Sequence, residues 1–362
     1  MDIYSTYYLI AAVRAMRPEH TFFKRRYAPT DVSMDIFGTA KVLADYKGKN
    51  QKAAPFVLPR IGSVSVGREG FSTYELEPAN ISISMPLTLD QLNKRGFGES
   101  LMSGMTPADR ATKLQLEDLH ELSARISRTE ERLVIDTMLD NGCIMRHQTE
   151  KEDVYEDVPA KFYDGENNPA LYTPAAKWEH SKLVNGQWVI GNWFEDICNM
   201  VRMLTSAGLP ATDLVMASDV ATFIMSDPWF LEMLNNRRVE MGRIAPEELT
   251  EYVIEHGVFN FKGRKLSLLE SCGSYTDSNG NDVQYVPAGS VIVTAPACAR
   301  GLYGAVTQME EDKQIHTRAG ARVPRHLCDV RTSTRETELT ARPLIVPKTK
   351  NPWAVAKGVF AD

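Results

Sequence analysis

The sequence has few cysteines and no long apolar run. Its 362 residues include five cysteines, and none of them forms a C-x-x-C pair. This count excludes a disulfide framework and is typical of a reducing compartment. No apolar stretch approaches the roughly 20 residues that a membrane-spanning helix needs. The first residues lack the positive segment of a signal peptide, so we expect a protein made and kept in a cytoplasm-like solvent.

Motifs that carry catalysis are also missing. The chain has no phosphate-binding G-x-x-x-x-G-K-[ST] loop and no G-x-S-x-G nucleophile turn. The segment Gly96–Gly98 lacks the third glycine of a dinucleotide-binding loop, and no histidine has a companion four residues later. The sequence therefore predicts that this is not an enzyme, with no catalytic, cofactor-binding or metal-binding residues.

Two short patterns imitate metal sites. Residues Asp277–Asp282 resemble the start of a calcium loop, but the twelfth position is Ala288, where a glutamate is required. We interpret them as a solvated hairpin turn. The segment His326–Asp329 offers one histidine and one cysteine without a second pair, and packing is the favoured interpretation.

Acidic pairs and aromatic pairs are the remaining candidates. The acidic groups are interpreted as solvated charge on helix surfaces or in loops: Glu130-Glu131, Glu247-Glu248 and Glu310-Glu311-Asp312. The aromatic pairs are interpreted as core or subunit contacts rather than a ligand platform: Trp193-Phe194 and Trp229-Phe230.

The charge is unevenly distributed along the chain. The total is -6, which argues against a general nucleic-acid binder because such proteins are usually basic. Residues 1–60 carry 10 basic and 5 acidic side chains, and residues 313–350 carry 9 and 3. Residues 61–312 carry 21 basic and 38 acidic side chains. Two basic flanks thus enclose an acidic middle.

The N-terminal third contains an unusual order of elements. A short amphipathic segment runs from Thr6 to Met16, and a mixed basic and aromatic stretch follows that we expect to need a partner surface. Residues 56–90 alternate polar and apolar residues around a glycine-rich turn at Gly67–Gly70, which predicts a long β-hairpin whose last strand ends at Pro86.

The longest predicted element is a helix over residues 107–140. Thr106 and Asp109 have the spacing of a capping box, Pro107 suits the first helical position, and Asn141-Gly142 is a stop signal. At 1.5 Å per residue such a helix is roughly 50 Å long. We expect it to form a spine in a chain of this size.

The following residues indicate an alternating α/β region. The pattern predicts strand-like pieces near Val154 and Trp188, followed by several further elements: helices from Asn192 to Gly208, from Ser218, around Pro228 and from Pro246 to Gly257, and strands Asp213–Ala217, Lys265–Glu270 and Val291–Thr294. After about Glu310 the chain becomes basic and strand-like. The length and the 43% hydrophobic content fit two or three domains with a real core.

This order of elements resembles the major capsid protein of lambda-like tailed bacteriophages, the phage capsid protein E family. Short matches in the same order support the resemblance: Tyr4–Ala12, Gly70–Pro78, Met225–Phe230 through Asn236–Arg238, Phe261–Gly263 with Val286–Gly289, Ala299–Gly304, and Arg318–Pro324. The resemblance covers nearly the whole chain.

The resemblance implies an α+β fold of the Hong Kong 97 type. Its parts would be an N-terminal arm, an extended β-hairpin loop, a peripheral domain with the spine helix, an axial α/β domain and a C-terminal tail. The expected boundaries are 1–55 for the arm, 56–100 for the loop, 101–190 and 308–350 for the peripheral domain, 191–307 for the axial domain and 351–362 for the tail.

The implied function is a shell. The subunit would assemble into hexamers and pentamers of an icosahedral head around double-stranded DNA, contacted non-specifically, with scaffold, portal and decoration proteins as further partners and no membrane. It would be assembled in the host cytoplasm and reside in the virion. An encapsulin-like compartment shell is the alternative within the fold, and an enzyme in residues 191–307 is the alternative outside it.

Two finer expectations concern how subunits join. Some relatives link neighbours covalently through a lysine on the extended loop, but residues 61–93 contain no lysine and Lys94 lies at the far end. We therefore expect a non-covalent shell. We also expect the basic arm of one subunit to meet the acidic body of another, so that charge guides assembly.

Overall fold

A computed structural model describes residues 5–16, 21–46, 72–88, 92, 106–148, 155–162, 171–235, 242–277, 280–310, 313–329 and 334–360. The helices in these residues are α1 Thr6–Ala15, α2 Phe23–Tyr27, α3 Pro107–Asp140, α4 Asn192–Ser206, α5 Ser218–Met225 and α6 Pro228–Asn235. The first eleven strands are β1 Val42–Tyr46, β2 Ser72–Leu76, β3 Ile81–Thr88, β4 Gly142–Gln148, β5 Tyr155–Lys161, β6 Lys182–Val184, β7 Gln187–Val189, β8 Asp213–Ala217, β9 Gly242–Thr250, β10 Val253–Phe261 and β11 Arg264–Ser271. The others are β12 Ser274–Thr276, β13 Asp282–Gln284, β14 Val291–Thr294, β15 Ala299–Tyr303, β16 Val306–Met309, β17 Ile315–Arg318, β18 Val323–Asp329, β19 Thr334–Ala341, β20 Pro343–Pro347 and β21 Ala354–Ala356.

The long helix α3 forms as its termini predict. The Thr106 hydroxyl accepts the Asp109 backbone N–H at 3.2 Å, and the Asp109 carboxylate accepts the Thr106 N–H at 3.1 Å. This reciprocal capping box satisfies two backbone donors that the first turn leaves open. Asn141 ends the helix in the left-handed conformation, with φ of 50°, which is a common helix stop.

One face of α3 packs on a three-stranded sheet. The strand order is β18-β19-β3, and all pairs are antiparallel. Leu122 and Ile126 of the helix are buried against Leu339 of β19, with Ile83 of β3 packed at the margin. The predicted alternation of β3 is confirmed, but the strand continues through Pro86 to Thr88. Because β3 is an edge of this sheet, a proline is tolerated in it.

A six-stranded sheet forms the centre of the C-terminal half. Its order is β21-β14-β8-β11-β10-β9, with β8 and β11 parallel and the other neighbours antiparallel. Every residue of β8 and of β14 is buried, as expected for strands covered on both faces. The predicted strands and helices between Asn192 and Thr294 are confirmed, with one exception.

The exception is the helix predicted from Pro246 to Gly257, which is wrong. These residues form β9 and β10, paired as an antiparallel ladder. Phe259 and Phe261 of β10 are buried two residues apart, as in a strand, but they lie beyond Gly257. A bulge between Glu255 and Gly257 places the buried Val253 on the opposite face. Pro246 is tolerated because β9 is the outer strand of the sheet.

The hairpin predicted over residues 56–90 is only partly within the described residues. Its turn at Gly67–Gly70 and its first strand lie outside them. The described partner of β2 is β1, with Val42 opposite Leu76 and Tyr46 opposite Ser72.

The stretch after α1 does not need another subunit to become buried. Phe23, Tyr27 and Ala28 have no exposed surface and belong to the same core as the central sheet. The expectation that this basic and aromatic segment must find a partner surface is therefore wrong for α2. Its aromatic side chains supply the apolar contact and its charged side chains find acids in the same chain, as described next.

Candidate functional site

Helix α2 is held by an ion cluster buried around Glu130 of α3. The Glu130 carboxylate has no exposed surface and receives two bonds from the Arg322 guanidinium, at 2.6 and 2.8 Å. Lys24 of α2 donates to it at 2.6 Å and the Tyr303 hydroxyl at 2.7 Å. We call these four residues the junction cluster. They join α2, α3, β15 and the residue before β18 at one point.

The cations of the junction cluster keep Glu130 ionised. Burial alone would raise the pKa of this carboxyl, but the charges and hydrogen bonds of Arg322 and Lys24 outweigh it and hold the pKa at about 2. Burial would likewise lower the pKa of Lys24, and Glu130 raises it instead. The cluster is thus an arrangement of full charges in a low-dielectric interior, where each depends on the others.

The neighbouring Glu131 caps the N-terminus of α2. Its two carboxylate oxygens accept the backbone N–H groups of Phe23 at 2.8 Å and Lys24 at 2.9 Å. Burial dominates here and raises the pKa of Glu131 to about 7, although these hydrogen bonds favour the charged form. The two adjacent acids therefore have pKa values shifted in opposite directions, lowered for Glu130 and raised for Glu131.

This raised pKa predicts a pH dependence. Because the folded chain holds a proton on Glu131 that the unfolded chain releases above its ordinary value of 4.5, the free energy of unfolding falls as pH rises from about 5 to about 8. In the Glu131→Gln variant this part of the fall should disappear. Urea unfolding of both proteins at pH 5, 6, 7 and 8 measures it, and parallel curves would contradict the prediction.

A second buried acid fastens α2 to the central sheet. Asp213, the first residue of β8, is 1% exposed. It accepts hydrogen bonds from the Arg26 guanidinium at 2.6 Å and the Tyr27 hydroxyl at 2.9 Å. Helix α2 carries both Lys24, which binds Glu130 of α3, and Arg26, which binds Asp213 of β8. It therefore fixes the position of α3 relative to the central sheet.

These contacts correct one expectation from the sequence. Glu130 and Glu131 are not solvated charge, because both are buried. The burial of Glu130 could have been inferred from its position on the helix. Glu130 lies four residues from both Ile126 and Val134, on the apolar face of α3. The basic flanks and the acidic middle also meet inside one chain, through the pairs Lys24–Glu130, Arg322–Glu130 and Arg26–Asp213.

The other acidic groups behave differently from one another. Glu247 and Glu248 are exposed, but on β9 rather than on a helix. The Glu310 carboxylate receives two hydrogen bonds from Arg318, each 2.9 Å long, and its side chain is only 7% exposed. Glu311 and Asp312 lie outside the described residues.

Neither of the two patterns that imitate metal sites, at residues 277–282 and 326–329, brings a set of metal ligands together among the described residues. Asp277 and Asp282 flank the turn between β12 and β13, and Asp277 binds the Asn281 backbone N–H at 2.9 Å. His326 is buried within β18, with Cys328 exposed two residues later. Among the described residues, no group of three or more histidine, cysteine or acidic side chains could hold a metal ion.

Both aromatic pairs lie in the core. Trp193 is fully buried and makes edge-to-face contacts with Trp229 and Phe230, with ring centroids 6.2 Å apart in each pair. Its indole N–H donates to buried Asp227 at 3.1 Å. The core interpretation of these residues is confirmed.

A groove of about 940 Å³ between α3 and the β12–β13 hairpin is lined by four arginines, including Arg125, Arg132 and Arg146. These three are each paired with a carboxylate, at 2.9 to 3.1 Å. The groove therefore offers little concentrated positive charge, and we assign it no ligand.

The match to known proteins extends over nearly the whole chain. Residues 5–358 match the model of the family described as phage major capsid protein E. The chain belongs to this family. It is a structural shell protein of the virion capsid, not an enzyme, and the family match favours the capsid over the encapsulin alternative.

A solved structure with a TM-score above 0.5 shows the fold of this capsid protein. The crystal structure of a prophage capsid protein from E. coli CFT073 is 16% identical, with a TM-score of 0.63 and coverage of 98% of this chain and 99% of that chain. The satellite phage P4 procapsid structure is 11% identical, with a TM-score of 0.45 and coverage of 98% and 99%. An encapsulin complex from Synechococcus elongatus PCC 7942 is 9% identical, with a TM-score of 0.43 and coverage of 96% and 94%. No curated protein matches the chain.

The capsid protein thus has the mixed α+β fold of phage capsids, which confirms the fold class at that level. Within the described residues, no helix is long and apolar enough to cross a membrane.

Proposed function

We propose that this capsid protein builds the icosahedral head of a lambda-like tailed phage as hexamers and pentamers that enclose packaged double-stranded DNA. The observation that carries the proposal is the family match over residues 5–358. The DNA would be contacted non-specifically, through phosphates. Assembly would take place in the host cytoplasm, with scaffold, portal and decoration proteins as separate chains.

The proposed subunit has the architecture of the Hong Kong 97 type. The 34-residue helix α3 supports its assignment as the spine of a peripheral domain over 101–190 and 308–350. The six-stranded sheet with α4, α5 and α6 supports an axial domain over 191–307. Because β21 pairs with β14, we assign residues 351–360 to the axial domain rather than to a separate tail. The arm over 1–55 and the loop over 56–100 would reach neighbouring subunits beyond the part of the arm that α2 anchors.

Shell formation is tested on the purified protein. Negative-stain microscopy should show closed shells or separate hexamers and pentamers, and denaturing gels of the particles should show a single band. The single band follows from the absence of lysine between residues 61 and 93. A monodisperse monomer at every concentration would contradict the proposed function, whereas shells with a covalent ladder would contradict only the non-covalent linkage.

A further inference from the structure

Three asparagines in this chain are followed directly by glycine, namely Asn141, Asn185 and Asn279. In this dipeptide the backbone nitrogen of the glycine can attack the asparagine side-chain amide, because glycine has no side chain to obstruct the approach. Asparagine is accordingly among the thermolabile residues of proteins. The surroundings of each pair decide whether the attack occurs. Asn279 lies outside the described residues, so the structure compares Asn141 with Asn185.

Asn185 and Gly186 form the tip of the β6–β7 hairpin. Val184 lies opposite Gln187, so the loop has two residues. Their φ angles are 51° and 76°, and positive values at both central positions are typical of a type I′ turn. Asn185 is exposed, and a Cβ built on Gly186 would have no described atom within 4 Å. The tip is therefore unobstructed among the described residues.

The hairpin that carries this tip is small. Strands β6 and β7 have three residues each, and among the described strands they pair only with each other. A two-stranded hairpin is marginally stable in water, and exposed loops of this kind open locally at little cost in free energy. Such opening lets the backbone of Asn185 leave the turn conformation, so that the Gly186 nitrogen can reach the side-chain amide.

Asn141 and Gly142 present the same dipeptide in a closed setting. Asn141 is 2% exposed. Its side-chain oxygen accepts the Trp353 indole N–H at 2.6 Å, and its side-chain nitrogen donates to Asn351 at 3.4 Å. Gly142 begins β4, and a Cβ there would lie 2.4 Å from the Ala160 carbonyl oxygen. The Asn141 amide is thus held in place, and an attack on it requires the surrounding core to open.

We propose that Asn185 is a site of spontaneous deamidation, with water as the only co-reactant. The Gly186 backbone nitrogen loses its proton and forms a bond to Cγ of Asn185. The bond from Cγ to the side-chain nitrogen breaks, and this nitrogen leaves as ammonia with the proton. One water molecule then opens the five-membered imide. The sum exchanges the amide NH₂ for a hydroxyl group, which ionises, and no atom is oxidised or reduced.

Two products form, because water can open the imide at either of its carbonyl carbons. Opening at the side-chain carbonyl gives aspartate, which keeps the turn because Asp-Gly is favoured in type I′ turns. Opening at the main-chain carbonyl gives isoaspartate, in which the chain runs through Cγ and the loop gains one backbone atom. Either product carries a carboxylate and lowers the formal net charge of -6 by one. This modification does not depend on the proposed function.

The test follows both dipeptides in the unassembled full-length subunit, incubated at pH 7 and pH 8. Mass spectrometry of the tryptic peptides 183–202 and 133–146 measures conversion at Asn185 and Asn141. We expect conversion at least about tenfold faster at Asn185, since Asn141 must wait for a costlier opening of the core. The rate should rise with pH, because the attacking nitrogen must lose its proton. In urea, where neither site is protected, the two rates should become similar.

The variant Asn185→Gly removes the amide and keeps the turn, because Gly-Gly also suits type I′ geometry. Isoelectric focusing should show an acidic species that grows with time in the wild type and grows much more slowly in this variant. Conversion at Asn185 no faster than at Asn141 in the folded subunit would overturn the proposal. A rate difference that persisted in urea would also overturn it, since the folded structure would then not be its cause.

Discussion

Glu130→Gln is expected to lower the free energy of unfolding by about 3–5 kcal/mol, the usual cost of removing one partner from a buried ion pair. The amide keeps the shape of the side chain but removes the charge that Lys24 and Arg322 share. Both cations then remain in a site where Arg322 is 12% exposed and Lys24 is 19% exposed. Urea unfolding of the unassembled subunit measures the change.

Glu121→Gln is the matched control on the same helix. Glu121 forms an ion pair with Arg125 in which both side chains are largely exposed. Exposed pairs at this spacing contribute about 0.3–0.5 kcal/mol, so the control should be close to the wild type. If the two variants lost the same small amount, the junction cluster would not fasten the arm to the spine.

Trp193→Ala is expected to cost about 3–5 kcal/mol, as is typical when a buried aromatic side chain is removed. Trp193 lies at the centre of the edge-to-face contacts with Trp229 and Phe230. Its removal leaves a cavity and removes one hydrogen bond to Asp227. The Asp227 carboxylate still accepts the backbone N–H groups of Ser181 and Phe230. The free energy of unfolding in urea is the quantity to measure.

Trp193→Phe separates packing from the hydrogen bond. Phenylalanine retains most of the apolar contact and lacks the indole N–H, so we expect a smaller loss of about 1–2 kcal/mol. A loss for Trp193→Ala no larger than that for Trp193→Phe would mean that the hydrogen bond, rather than the packing, stabilises this core.

Much of the fold could be predicted because local signals and the fold agree. The ends of α3 follow from Thr106, Asp109 and Asn141, whose effects act within one helical turn. Strands β8 and β14 follow from short, continuous apolar runs. The segment 246–257 could not be predicted this way, because its pairing with β11 depends on residues that approach only in the folded chain.

The junction cluster illustrates a different limit. A glutamate on an apolar helix face is ambiguous, since it is buried only if cations arrive to compensate it. The cations that compensate Glu130 come from positions 106 residues before it and 192 residues after it. No pattern in the sequence around Glu130 indicates them. The position of Glu130 on the helix indicates that it could be buried. Only the tertiary structure shows which cations compensate it.

The position of β21 has a consequence for the order in which the subunit folds. This strand completes the central sheet by pairing with β14, yet strands β15 to β20 lie between them along the chain. Closing such a long loop costs entropy before any ladder bond forms, and pairings of this kind form slowly. Until then the edge of β14 is open to foreign strands. A chain in which β21 has not yet paired with β14 would therefore expose that edge of its central sheet.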